Sequence, residues 1–320
     1  MADITLPIPG RPYVIVTATR EKSVLDLSRL EIEDLYKLHG ALLFRGFPTT
    51  LDQFGAFTGQ FCATSVFNEG PDRRMLDGER NIQSVDAGSD PFQLHPELSR
   101  EPWKPDVCFF CCQQPPTSGG ATTICDGTEL VRELPAGLRD ALAKRKLMYI
   151  QAAPPHVLEF WLGTSEPTDQ QLRNPPANCP YVFRRAPTGQ AIRIFIRPVF
   201  HTPMFATDPA FGNFLLFARF QNSISNFPVL DDGKPVPEPW LQAIKAVGDR
   251  LSAPVEWQAG DLLMLDNTRF MHGRTAIQNA DERLIASYFG YLKFAVPNPD
   301  EPADPIWRRE TFRPPARIAP

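Results

Sequence analysis

Apolar residues fall at helical spacing over residues 29–39, 51–61, 128–145, 208–227 and 237–252, which predicts a helix over each. Ser28 stands as an N-cap before the first. Thr50 with Gln53, and Asp126 with Glu129, set capping boxes before the second and third. Pro135 kinks or splits the third, whose basic end suits a helix C-terminus. Short apolar or alternating runs at 41–46, 107–113, 121–126, 147–152, 181–185, 191–197, 254–258, 261–267 and 284–294 read as strands. In AIRIFIR the alternation puts Arg193 and Arg197 on one face. Residues 62–106 show little regular pattern and read as loop-rich. Many short strands with a few helices outside, and no β–α alternation, predict a mainly β fold. A double-stranded β-helix (jelly roll) core with peripheral helices fits best. No internal repeat or clear linker appears, so residues 1–320 are expected to form a single domain. Its core spans about 36–294, followed by a Pro-rich tail over 295–320.

Composition narrows the classes. The chain is 42% hydrophobic and 22% charged, ordinary values for a globular protein. Its net charge of -4 and the lack of a dominant basic run argue against a nucleic-acid partner. There is no run of 18 or more apolar residues and no export-signal pattern at the N-terminus, so no membrane span is expected and the cytoplasm fits. Proline accounts for 34 residues and clusters at 153–155, 175–180, 235–239 and 297–319, which predicts long loops and an extended tail anchored by Ile306 and Trp307. Cys108, Cys111 and Cys112 look like half a zinc site. No second pair completes it, and the run reads better as a buried strand. A small-molecule substrate is the expected partner; self-association is left open.

The candidate chemistry lies in His95, Glu97 and His272. Two imidazoles and one carboxylate are the ligand set of a non-haem iron(II) oxygenase, which leaves open positions for a co-substrate and O₂. A histidine with an acid two positions on is weak evidence by itself, so the neighbourhood carries weight. In an extended segment His95 and Glu97 point to one face, and Pro96 favours that geometry. The run GDLLMLDNTRFMHGR (260–274) is an apolar strand that turns at Asp266–Asn267 and delivers His272 beside Gly273. Arg283 precedes a long apolar strand, where its guanidinium can fork a carboxylate at a barrel mouth. The other readings are a jelly roll that binds metal without oxygenase activity, and a metal-free binding protein.

Four segments together resemble the TauD/TfdA-like family of iron(II)- and 2-oxoglutarate-dependent dioxygenases. They are LHGALLFRGF near the N-terminus, HPE at 95–97, SGGATTICD at 118–126 and GDLLMLDNTRFMHGR at 260–274, within roughly residues 36–294. The resemblance implies that His95, Glu97 and His272 hold Fe(II). It also implies that Thr122 and Arg283 contact the 2-oxoglutarate co-substrate, and that an unactivated C–H bond is hydroxylated or desaturated with O₂ while succinate and CO₂ are released. Most members have a second arginine four residues after the first; here Ser287 stands there. Arg283 is therefore expected to take the distal carboxylate, with Thr122 or Ser287 donating a hydrogen bond. Glu97 fills the place that family halogenases leave to Gly or Ala, so oxygenation is expected, not halogenation. Glutamate there also resembles the branch that hydroxylates free or carrier-bound amino acids. Phe67, Asn68, Arg73, Arg74, Gln83 and Ser84 are expected to wall the cavity. Arg193, Arg197 and Arg219 are cationic candidates for a substrate carboxylate or phosphate, and His201 is a candidate substrate contact.

Overall fold

The strand Val107–Gln114 is buried on both faces, which explains its unbroken apolar run. In the computed structural model, which describes residues 2–70, 72–298 and 300–315, it lies in a nine-stranded sheet between Leu262–Asp266 and Leu284–Leu292. Alternation sends its side chains to two cores. Phe109 and Cys111 join Phe44, Met264 and Tyr288 with Phe54 and Phe57 of the helix Leu51–Phe61. Phe110 and Cys112 join Leu263, Leu265 and Phe289 with Ile124 and Met271. Ile124 and Met271 belong to a second, four-stranded sheet, in the order Ala253–Val255, Thr122–Asp126, Phe270–Arg274, Phe92–His95. Two packed sheets of mostly antiparallel strands give the expected jelly-roll core. The pair Val14–Thr17 and Ala41–Arg45 is parallel. A third sheet holds Lys146–Ala152, Val182–Arg185, Ala191–Pro198 and Val229–Leu230.

Local signals translate directly where one element satisfies itself. Ser28 accepts from the Glu31 N–H and starts Arg29–His39, which Gly40 ends in a left-handed conformation. Thr50 and Gln53 form the reciprocal box at the start of Leu51–Phe61. The third predicted helix is split at Pro135 into Gly127–Glu133 and Ala136–Leu142. Asp126 caps the first half through Thr128 rather than in a box with Glu129, whose carboxylate is bonded by Arg132 instead. The last predicted helix runs Glu238–Leu251.

Three expectations need correction. Residues 62–106 contain the short strands Cys62–Ser65, Met75–Asp77, Ile82–Ser84 and Phe92–His95, too brief for a period to show. Residues 208–227 are not an α-helix; they hold the strand Ala210–Phe211 and a π-helical turn at Phe217–Gln221. The apolar periodicity there reflects burial of Phe211, Leu215 and Leu216 on several sides, while Asn213 turns its carbonyl oxygen to the Leu215 N–H and its amide to the Val199 carbonyl. The helices Pro155–Leu162 and Asp169–Arg173 arise within proline-rich sequence, Pro155 sitting at the first helical position where no N–H is needed.

All six cysteines are free, five of them buried, and burial raises the Cys108 thiol well above its usual value. Cys111 and Cys112 are pushed up to about 12. These are core thiols. In the tail, Trp307 is buried and Arg308 forks Asp106 with two bonds of 2.8 Å. Among the described residues no helix is long and apolar enough to cross a membrane.

Candidate metal centre

The turn after Leu262–Asp266 carries the chain from the large sheet to the small one, where Phe270–Arg274 pairs with Phe92–His95 and sets His272 opposite His95. Glu97 follows just beyond the strand end. One ligand atom from each of His95, Glu97 and His272 lies within 4.8 Å of the others. Gly273 lets the strands approach this closely: a Cβ there would stand 2.6 Å from the Phe92 carbonyl and 2.8 Å from Thr123 Oγ1.

Each ligand is held by neighbours. His95 Nδ1 bonds the Gln93 carbonyl at 2.8 Å, fixing the ring and freeing Nε2. Phe217 and Phe110 pack on the two imidazoles. Burial lowers the His95 pKa and takes His272 well below the usual value, so both rings are neutral, the form that ligates a metal. His272 Nδ1 is buried without a hydrogen-bond partner among the described residues. The Glu97 carboxylate accepts from Asn68 Nδ2 at 2.5 Å and from Arg73 at 3.3 Å, and stands 3.8 Å from His272 Nε2. Asn267 ties down its backbone. Two neutral imidazoles, one with an unmatched nitrogen, and a buried carboxylate form a donor set that suits iron(II).

The cavity at this centre is lined by Arg73, Asp86, Thr122, Arg274 and Arg283 along with the histidines. Arg283 donates from Nε to the Gly120 carbonyl at 3.0 Å, and burial, reinforced by Arg274, lowers it to about 10. Gly119 and Gly120 both sit at positive φ, and a Cβ on Gly119 would stand 2.1 Å from the Ala276 carbonyl. The SGG segment thus owes its glycines to close backbone packing beside Arg283. Trp257 donates to Thr122 Oγ1 at 3.0 Å.

The other predicted residues divide. Ser287 is buried beneath the site; its hydroxyl donates to the Gln83 carbonyl and accepts from Arg73 at 3.3 Å, so it meets Arg73 rather than the cavity. Asn68 touches Glu97, and Gln83 supports Asn68 by donating to its carbonyl at 3.0 Å. Arg74 is exposed, and its backbone is bonded to Ser84. Phe67 is 41% exposed and lines a separate cleft against the tail. Arg193 is buried against Tyr181 and Gln151, away from the centre. Arg197 and His201 line a different cavity. Asn267, Asp86, Arg274 and Trp257 were not singled out by sequence reasoning. Their partners lie far along the chain, and no local spacing marks them.

The profile of the taurine catabolism dioxygenase TauD, TfdA family matches residues 16–288. Comparison with curated proteins gives no match. Similar solved structures include PvcB from Pseudomonas aeruginosa, at a TM-score of 0.62, 13% identity, and 93% and 94% coverage of this chain and that one. A taurine dioxygenase from Burkholderia xenovorans superposes at 0.60, with 14% identity and 93% and 92% coverage. AAD-2 in complex with Mn(II) and N-oxalylglycine does so at 0.57, with 13% identity and 95% and 100% coverage.

Proposed function

This chain belongs to the TauD, TfdA family of dioxygenases, and on that basis we propose that it hydroxylates or desaturates an unactivated C–H bond of a small carboxylate-bearing, amino-acid-like substrate. As a family member it is an oxidoreductase that uses Fe(II), 2-oxoglutarate and O₂. The observation that carries the proposal is the convergence of His95, Glu97 and His272 at a cavity that also presents Arg283 and Thr122.

Bound iron, with 2-oxoglutarate and O₂, supplies the oxidising power for C–H cleavage, and succinate and CO₂ are the co-products. The chain positions and shields. His95, Glu97 and His272 hold the metal. Arg283 and Thr122 hold the distal carboxylate of the co-substrate. Arg73 is the candidate for the substrate carboxylate: its side chain is 5% exposed and ion-paired through Nη2, while its Nε is buried without a hydrogen-bond partner among the described residues. Its guanidinium lines the metal cavity, where Asp86 at 2.8 Å and Glu97 at 3.3 Å hold it, and a substrate carboxylate would compete with those two acids for it. Phe92, Phe110 and Phe217 keep water from the reacting carbon. We read residues 1–320 as one catalytic unit.

Succinate release against a panel of amino acids, amines and sulfonates tests the reading. Anaerobic Fe(II) with 2-oxoglutarate should give a weak visible metal-to-ligand absorption. Glu97→Ala should lose turnover and keep the fold; retained hydroxylation refutes the ligand role.

A further inference from the structure

A second cavity, about 300 Å³, shares no lining residue with the metal cavity. That volume is at the lower end for small-molecule sites. Its wall includes Lys104 and Arg197, neither of which has a carboxylate within ion-pair distance among the described residues. Lys104 Nζ reaches only the Gly212 carbonyl, at 3.4 Å. Arg197 reaches the Asp300 carbonyl, at 3.5 Å.

The acids at this cavity are each bonded to a residue other than Lys104 and Arg197, two of them to Arg308, which also lines it. Asp106 and Glu301 are held by Arg308 at 2.8 and 3.5 Å, and Glu101 by Tyr181 and Arg100 at 3.4 and 3.7 Å. His201 donates from Nε2 to the Thr268 carbonyl at 2.6 Å and adds no charge. Ser99, 6% exposed, also lines the cavity, and its hydroxyl is buried without a partner among the described residues. Burial, reinforced by the nearby Arg197, lowers Lys104 to about 8, against the weaker opposing pull of Asp266 and Glu301, neither of which reaches ion-pair distance.

We propose that Ser99, Lys104 and Arg197 form a second anion site, for a small molecule bearing a carboxylate or phosphate group, outside the metal cavity. Two under-bonded cations and a free hydroxyl supply the charge-assisted donors such a group needs. Tyr149 and Phe195 offer an apolar wall for its body. The occupant would lie close behind the metal centre. Thr268 lines the cavity next to Asn267, the residue that ties down Glu97, and Pro96 packs near Gly212 on the cavity wall.

Calorimetric titration of the full chain with inorganic phosphate and, separately, with acetate tests the site without any turnover. Saturable binding of either anion is expected, weakened about tenfold or more by Lys104→Met and by Arg197→Gln, and unchanged by Arg283→Met. The anion that binds more tightly identifies the head group. Melting curves restrict the comparison to folded variants, and Arg197→Gln, at a half-buried position, serves if Lys104→Met fails to fold. No saturable binding, equal affinity in the wild type and both variants, or loss of binding in Arg283→Met overturns the proposal. The Arg283→Met arm separates this site from the carboxylate contact proposed for the metal cavity, and no arm requires turnover.

Discussion

The Glu97 backbone N–H donates to Asn267 Oδ1 at 2.8 Å, and Asn267 Nδ2 donates back to the Glu97 carbonyl at 3.1 Å and to the Pro105 carbonyl at 2.8 Å. One side chain therefore clamps the carboxylate ligand to the turn that leads into the His272 strand. Asn267→Asp keeps the acceptor, removes both donors and adds a buried charge beside Asp266. A loss of roughly 2–4 kcal/mol is expected, together with weaker iron binding. Urea unfolding and an iron titration check it; unchanged values in both would show that the clamp has no role.

Arg283 and Ser287 separate two ways of holding 2-oxoglutarate. Arg283→Ala should raise the KM for 2-oxoglutarate about 100-fold, the scale of a lost charge-assisted pair. Ser287→Ala should leave that KM within about twofold, since its hydroxyl is occupied by Arg73 and Gln83. Steady-state kinetics in 2-oxoglutarate decide. A large effect from Ser287→Ala alone would return the serine to the co-substrate.

Gly273→Ala tests the approach of the two histidine strands. The added methyl meets the Phe92 carbonyl, which is backbone and has little room to yield. Destabilisation of about 1–3 kcal/mol is expected, with an iron Kd raised tenfold or more as His95 and His272 part. A melting curve and an iron titration read the two effects.

Asp266 makes stability depend on pH. Burial raises its carboxyl from 3.8 to about 6, against the bonds it accepts from Thr268. The folded chain therefore holds that proton more tightly than the unfolded chain. Its contribution is full below pH 3.8 and is lost as pH rises through 6, a difference on the order of 3 kcal/mol by pH 7. Asp266→Asn keeps an acceptor for Thr268 and removes the charge, so its stability should fall less between pH 4 and 7 than the wild type's. Parallel denaturation curves across that range would refute this.

Much of the architecture is legible along the chain. Ser28 and the Thr50–Gln53 box mark helix starts because each satisfies backbone groups within its own first turn. The apolar run at 107–113 and the long run from 284 read as strands because both are buried within one sheet. The same logic fails at 208–227, where burial from several sides imitates a helical period. It also fails at 62–106, where strands of three or four residues are defined by their pairing partners.

The sequence by itself marked the candidate ligands, and the resemblance carried by its four segments implied the reaction class. His95 and Glu97 stand two apart around a proline, His272 follows an apolar strand, and Arg283 comes shortly after; chemistry of that kind is written in residue identity and short spacing. Tertiary structure alone decided which arginine meets Glu97, that Ser287 lies under Arg73, that Asn267 clamps the carboxylate, and that Arg197 and His201 share a cavity with Lys104. These relationships join residues tens to hundreds of positions apart. They arise when two sheets pack and side chains compete for the few polar partners inside, and no local pattern records the outcome of that competition.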